Sequence, residues 1–259
     1  MAAANVRRWL SHPITRGLDL DDPRTTDERR RLIASKPFLR DIYQDWYRTI
    51  SDGLPAGDDP VLEIGSGAGF LDRFIPGLLT SEVLACSGVR LVLEGGHLPF
   101  ADASLRAIVM TNVLHHLPEP RRFLAEATRT IRTGGAVLMI EPWVSRWSSF
   151  VYRTLHHEPF APDAPAWEFP RGGPLSGANG ALPWMIFERD RSTFEREFPQ
   201  WIIERIVPSM PFRYLLSGGV SMRSLMPQAT APLWRAVERS LRPWMTSWAM
   251  FAEIVLRRC

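Results

Sequence analysis

Two features of this 259-residue chain carry recognisable chemistry: a glycine cluster and two histidine pairs. The cluster is Gly65-Ser66-Gly67-Ala68-Gly69, entered from the apolar stretch Val61-Leu62-Glu63-Ile64. A glycine-rich turn between a strand and a helix lets backbone approach a ligand with no Cβ in the way, and its amides favour a polar or anionic group. The dinucleotide fingerprint needs glycine at the first, third and sixth positions, but Phe70 holds the sixth. The histidine pairs are His115-His116 and His156-His157, the second followed by Glu158. Imidazole is the natural base near neutral pH. No fourth ligand stands at a recognisable spacing from these residues, so no metal is expected from the spacing.

The elements that must position these groups follow from periodicity. Residues 26–51 read as helical with a break near Pro37, and 53–60 as a polar loop. Strands are predicted at 61–64, 78–83, 90–93, 105–111 and 136–140, the last ending at Glu141-Pro142. A short helix is predicted at 70–74. Another at 119–132 carries Phe123, Leu124, Ala127 and Ile131 at helical spacing, with Gly134-Gly135 as its stop. Strand-helix alternation of this kind predicts an α/β fold, a doubly wound and mostly parallel sheet. Two more strands are expected at 201–207 and 249–256, around a helix at 231–241. Only seven residues, 83–89, separate Glu82 from the third strand, where a parallel crossover usually takes a dozen or more, so the helix there is expected to be missing.

Read in order, these segments resemble the class I S-adenosylmethionine (SAM)-dependent methyltransferases, in the branch related to ubiquinone and menaquinone biosynthesis. The resemblance rests on residues 61–69, on Leu98-Pro99-Phe100-Ala101-Asp102, on Val113-Leu114-His115-His116-Leu117 and on Thr133-Gly134-Gly135, where threonine replaces the usual proline. It implies a seven-stranded Rossmann-like sheet with a cap insertion, and SAM as cofactor. Gly65, Gly67 and Gly69 would pass under the cofactor, while Glu63 would hold the loop or reach the methionine amino group. Glu82 would take the ribose hydroxyls, since a carboxylate accepts two hydrogen bonds at once. Glu94 would meet the adenine amino group, and Asn112 belongs to the same cofactor set. The shortened crossover departs from the family and puts one side of the adenine site in question.

Methyl transfer needs a base only if the nucleophile has a proton to lose. His115, at the carboxyl edge of the sheet, and His157, in the cap, are the catalytic candidates. His116 is expected to fasten its loop to the following helix. The expected reaction is methylation, on oxygen, of a small molecule, saccharide or lipid intermediate. A catalytically degenerate SAM-fold binding protein is the alternative, motivated by the missing helix.

Composition bounds the rest. The chain has 45% apolar and 23% charged residues, as ordinary globular proteins do. Residues 56–141 carry 7 Arg against 10 acidic side chains, whereas the flanks are basic, which suits an anionic acceptor or peripheral contact with a membrane. Two cysteines and no apolar run after the first arginines fit a cytoplasmic protein. An NAD-dependent oxidoreductase is excluded by Phe70 and by the lack of a Tyr-x-x-x-Lys pair, Lys36 being the sole lysine. A nucleic-acid substrate is disfavoured because no concentrated basic patch or base-flipping motif occurs. The chain divides into a helical segment over the cofactor site (1–55), the cofactor-binding core (56–142), a cap (143–200) and closing strands and helix (201–259). Residues 143–222 are expected to form the acceptor side, with Trp, Pro and glycine-rich stretches as in a lid.

Overall fold

The computed structural model describes residues 12, 19, 21–155, 158–170, 172–173 and 177–259. Each predicted strand forms, and their side chains explain the layers. Along β1 (Val61–Ile64), β4 (Leu105–Thr111) and β5 (Ile131–Pro142), alternate residues point to opposite faces. Leu62, Ile108, Met110, Val137 and Met139 enter one core; Val61, Val109, Leu138 and Ile140 enter the other. Two buried faces account for strands that read as almost continuously apolar.

With β2 (Leu79–Glu82), β3 (Leu91–Val92), β6 (Trp201–Ser209) and β7 (Phe251–Arg258), the seven strands run in the order β3-β2-β1-β4-β5-β7-β6. The first five pair in parallel, and β7 runs antiparallel between β5 and β6. The order reverses between β1 and β4, so a crevice opens at their carboxyl ends, where such sheets bind ligands.

On one face lie α1 (Pro23–Ser35) and α2 (Pro37–Asp52). Each opens on a proline at its first position, where the missing N–H costs nothing. Asp22 caps α1 by accepting from the Arg24 backbone N–H. Between them sits Lys36, buried, its Nζ donating to the carbonyls of Ser217, Gly219 and Met222. That ties the α1–α2 junction to the loop after the short helix Arg213–Ser217. The other face is covered by α3 (Pro120–Thr130) and by the helical stretch Leu182–Trp184 continuing into Met185–Arg189, then Arg191–Glu197. The stretch expected as a cap is therefore of two kinds. Phe187 and Phe194 are fully buried in the core, while α4 (Arg146–Thr154), Glu158, Phe160, Phe169 and Gly177 stand at the crevice.

Three local expectations need correcting. The helix predicted at 70–74 is only a 3-10 turn, Leu71–Arg73, with Pro76 and Gly77 close behind it. Gly134-Gly135 does not stop α3, because β5 starts at Ile131, whose backbone pairs with Leu105 while its side chain is buried. At Gly135 a Cβ would lie 2.3 Å from Ile131 Cγ2 and 2.7 Å from the Arg106 carbonyl, so the glycine serves close strand contact. The final strand begins at Phe251 rather than 249 because Ala249 still closes the preceding turn, donating to the Met245 carbonyl. The expected absence of a helix between β2 and β3 is observed.

Candidate functional site

At the end of β1 the chain turns through Gly65 (φ +69°) and Gly67 (φ +42°), left-handed conformations that glycine adopts without strain. A Cβ at Gly65 would stand 2.4 Å from Val113 Cγ2, so the loop and the segment after β4 are in close approach. From behind, β2 holds the loop in place. Ser66 N donates to the Ser81 carbonyl (2.8 Å), Ser81 N to Ser66 Oγ (3.1 Å), and Ser81 Oγ to the Glu63 carbonyl (2.6 Å). From above, Arg30 on α1 donates to the Gly67 carbonyl at 2.7 Å. Helix α1 thus lies over the loop.

The acids anticipated from sequence meet this loop to different extents. Glu82, buried at the end of β2, accepts from the Val83 N–H at 2.8 Å, and a Cβ on Gly67 would lie 3.2 Å from its Oε2. Burial raises its carboxyl above the ordinary range. Glu63 is also buried; burial, opposed by a Ser66 hydrogen bond and reinforced by Asp72 and Glu82, pushes its carboxyl up to about 7. Glu94 is exposed, in a tight turn bridged to His97, and borders the same cavity. Asn112 follows β4 in the left-handed region (φ +58°), its N–H donating to the Ile140 carbonyl at 2.8 Å. Beside it the buried Thr111 Oγ1 has no hydrogen-bond partner among the described residues.

The raised Glu63 carboxyl has a stability consequence. Its folded value lies above the unfolded one of about 4.3, so stability falls as the pH rises from about 4 to 7, and the loss is complete above pH 7. Glu63→Gln is expected to stabilise the protein by about 2 kcal/mol at pH 8, with little change near pH 4. Thermal melts at the two pH values check this, and an equal shift at both would show that charge is not the cause.

Loop, acids and cap enclose a cavity of about 490 Å³, within the size range of small-molecule sites. At its far end stand the residues after β4 and β5. Glu141, fully buried at the end of β5, accepts from the N–H groups of Val113 (2.7 Å) and Leu114 (2.8 Å) through Oε1. Its Oε2 lies 2.7 Å from His115 Nδ1. His115 Nε2 in turn is 3.7 Å from Glu158 Oε2. Burial works against a charge on His115, but the Glu141 and Glu158 carboxylates outweigh it and raise the imidazole to about 9. His116, with Nδ1 2.9 Å from the Gly177 carbonyl, is lowered to about 4 by burial and by the charge on His115. His116 thus fastens the segment at Gly177, rather than the following helix, to the sheet edge. His157, the other catalytic candidate, lies outside the described residues.

Sequence reading missed Glu141 as a functional residue and saw it only as a strand end. The available signal was an acid directly after the apolar run 136–140, at the same sheet edge as His115. Thr111 pairs with Ile140 across β4 and β5, which places the residues after each strand side by side.

Residues 80–139 match the methyltransferase domain family. The chain is 29% identical over 132 residues to the demethylmenaquinone methyltransferase of Tropheryma whipplei (strain Twist), an alignment covering 44% of this chain and 53% of that protein. It is 29% identical over 128 residues to an uncharacterised methyltransferase of Mycobacterium sp. (strain JLS), covering 44% and 50%. The chain spans about half the length of the curated relatives it matches. Among solved structures, a SAM-dependent methyltransferase of Thermotoga maritima superposes with a TM-score of 0.55 at 16% identity, over 92% of this chain and 98% of that one. Geranyl diphosphate C-methyltransferase of Streptomyces coelicolor A3(2), solved with Mg2+, geranyl diphosphate and S-adenosyl-L-homocysteine, gives 0.51 at 14% identity, over 99% and 98%. These structures share the fold. The family match across β2 to β5 and this strand order support a class I SAM-dependent methyltransferase family.

Proposed function

We propose that the protein transfers a methyl group from SAM to an oxygen of a small-molecule acceptor, in the cavity between the glycine loop and His115. The observation that carries this reading is the continuity of that cavity: Gly65, Gly67 and Glu82 line one part, His115 and Glu158 another. The residues present fit SAM. Two loop glycines offer backbone without Cβ, and the orphaned Thr111 hydroxyl borders the same space. Glu63, Glu82 and Glu94 make the wall acidic, which suits a cationic sulfonium and opposes the pyrophosphate of a dinucleotide.

Bound SAM supplies a methyl carbon activated by its sulfonium. The chain aligns a nucleophile with that carbon and manages the nucleophile's proton. Glu141 fixes the ring of His115, so Nε2 is turned toward Glu158. As the oxygen–carbon bond forms and the carbon–sulfur bond breaks, the acceptor hydroxyl would lose its proton at this histidine–carboxylate end of the cavity. Residues 143–222 supply the acceptor side. Tyr152 stacks on Phe160 with ring centroids 4.9 Å apart, and Tyr214 meets Phe251 edge-on at 4.9 Å. Such walls fit an aromatic or lipid-intermediate body, or the apolar face of a sugar ring.

Calorimetry with SAM and with S-adenosyl-L-homocysteine tests the reading first; no binding of either at millimolar concentration would overturn it. Glu82→Ala is expected to weaken binding of both by about 1.5–3 kcal/mol, the worth of hydrogen bonds to a charged group, and to leave the melting temperature nearly unchanged. A variant with wild-type affinity would remove Glu82 from the ribose contact.

A further inference from the structure

We propose that His115, His116 and Glu158 bind a divalent transition-metal cation at the acceptor end of the cavity. The proposal deepens the methyltransferase reading and rests on it only for the presence of an acceptor there. One ligand atom from each of the three side chains lies within 4.8 Å of the other two. His115 Nε2 stands 3.7 Å from Glu158 Oε2, and His116 Nε2 stands 4.0 Å from Glu158 Oε1. Neither separation is a hydrogen bond. The distal atoms face one another across a gap.

The opposite nitrogen of each ring explains why that gap suits a cation. His116 Nδ1 is 2.9 Å from the Gly177 carbonyl, which can only accept, so the ring proton sits on Nδ1 and Nε2 presents its lone pair. His115 Nδ1 is held at 2.7 Å by Glu141, whose other oxygen is fixed by two backbone N–H groups. Imidazole ligands are held in this way around metals, with the far ring nitrogen bonded to a carboxylate or carbonyl that sets tautomer and orientation. The two rings are packed 4.2 Å apart at neighbouring positions, so both are oriented before any ion arrives. With metal–ligand distances of about 2.0–2.2 Å, the ligand atoms need to close by up to about 1.5 Å.

Two imidazoles and one carboxylate select zinc, iron or cobalt over magnesium and calcium, which prefer oxygen ligands alone. Three protein ligands leave at least one position open. All three side chains border the cavity beside Tyr152 and Phe160, so that position faces the acceptor. An acceptor oxygen bound there loses its O–H proton to solvent more readily, because the cation stabilises the resulting oxyanion. The oxyanion then forms the oxygen–carbon bond as the carbon–sulfur bond of SAM breaks.

The test titrates chelator-treated, full-length protein with Co2+, read by visible absorption, and displaces it with Zn2+. One equivalent of Co2+ should give ligand-field bands that Zn2+ removes and Mg2+ does not. His116→Ala and Glu158→Gln should each weaken Co2+ uptake at least tenfold, and Glu141→Gln, a positioning change, by about 10–100-fold. Thermal melts identify any variant that fails to fold. Absence of bands in the wild-type protein overturns the proposal, as do bands that persist unchanged in folded His116→Ala and Glu158→Gln. Calorimetry with S-adenosyl-L-homocysteine on the same samples separates the two readings: cofactor binding without Co2+ uptake sinks the cation site alone.

Discussion

Gly67→Val is expected to abolish binding of SAM and of S-adenosyl-L-homocysteine while the protein stays folded. Gly67 sits at φ +42°, where a β-branched residue is strained. Its Cβ would also lie 3.2 Å from Glu82 Oε2, and the two valine methyls would extend further toward the carboxylate proposed to hold the ribose. Arg30 grips the Gly67 carbonyl and α1 lies over the loop, so the backbone has little room to move aside. The sheet behind the loop is anchored separately through Ser66 and Ser81, which is why the fold should survive. Calorimetry together with a thermal melt decides it. Wild-type affinity in a folded Gly67→Val protein would place the cofactor elsewhere.

The second large effect is expected at His115. His115→Ala should lower turnover by about 10²–10⁴-fold, the range for loss of a general acid–base group, with SAM affinity within about twofold. Glu141→Gln should reproduce much of that loss. Its amide oxygen still accepts from Val113 or Leu114, but an NH2 facing His115 Nδ1 forces the other tautomer. The measurement is methyl transfer from labelled SAM to phenolic, glycosyl and prenyl acceptors, using one that the wild-type protein methylates. Full turnover in His115→Ala would remove this residue from catalysis, and the test would move to His157.

The legible part of the site is the part made by neighbours in the chain. Val61 to Gly69 reads as a strand entering a glycine turn because apolar runs and glycine act over a few residues, and the structure places Gly65 and Gly67 at positive φ. Glu82 was found by its distance from that turn, and it does end β2 beneath the loop. The illegible part is made by residues far apart in sequence. Glu141 looked like the polar end of a strand, and Glu158 like a loop residue beside a histidine pair. Lys36 was noted only as the sole lysine, with no hint of the three carbonyls it holds.

By itself, then, the sequence determined the strand set, the crossover without a helix, the glycine loop and the resemblance to a family. Each of these is written in local periodicity or in the order of short motifs. The tertiary structure alone decided which groups meet. The parallel register of β4 on β5 pairs Thr111 with Ile140, so the next residues of both strands emerge together, and Glu141 can receive Val113, Leu114 and His115 at once. Gly177 and Glu158 arrive at the same edge because the intervening chain folds back over it, with the Asn179 N–H donating to the His115 carbonyl at 2.9 Å. Strand register and chain reversal depend on packing across the whole sheet, and no short stretch of residues carries that information.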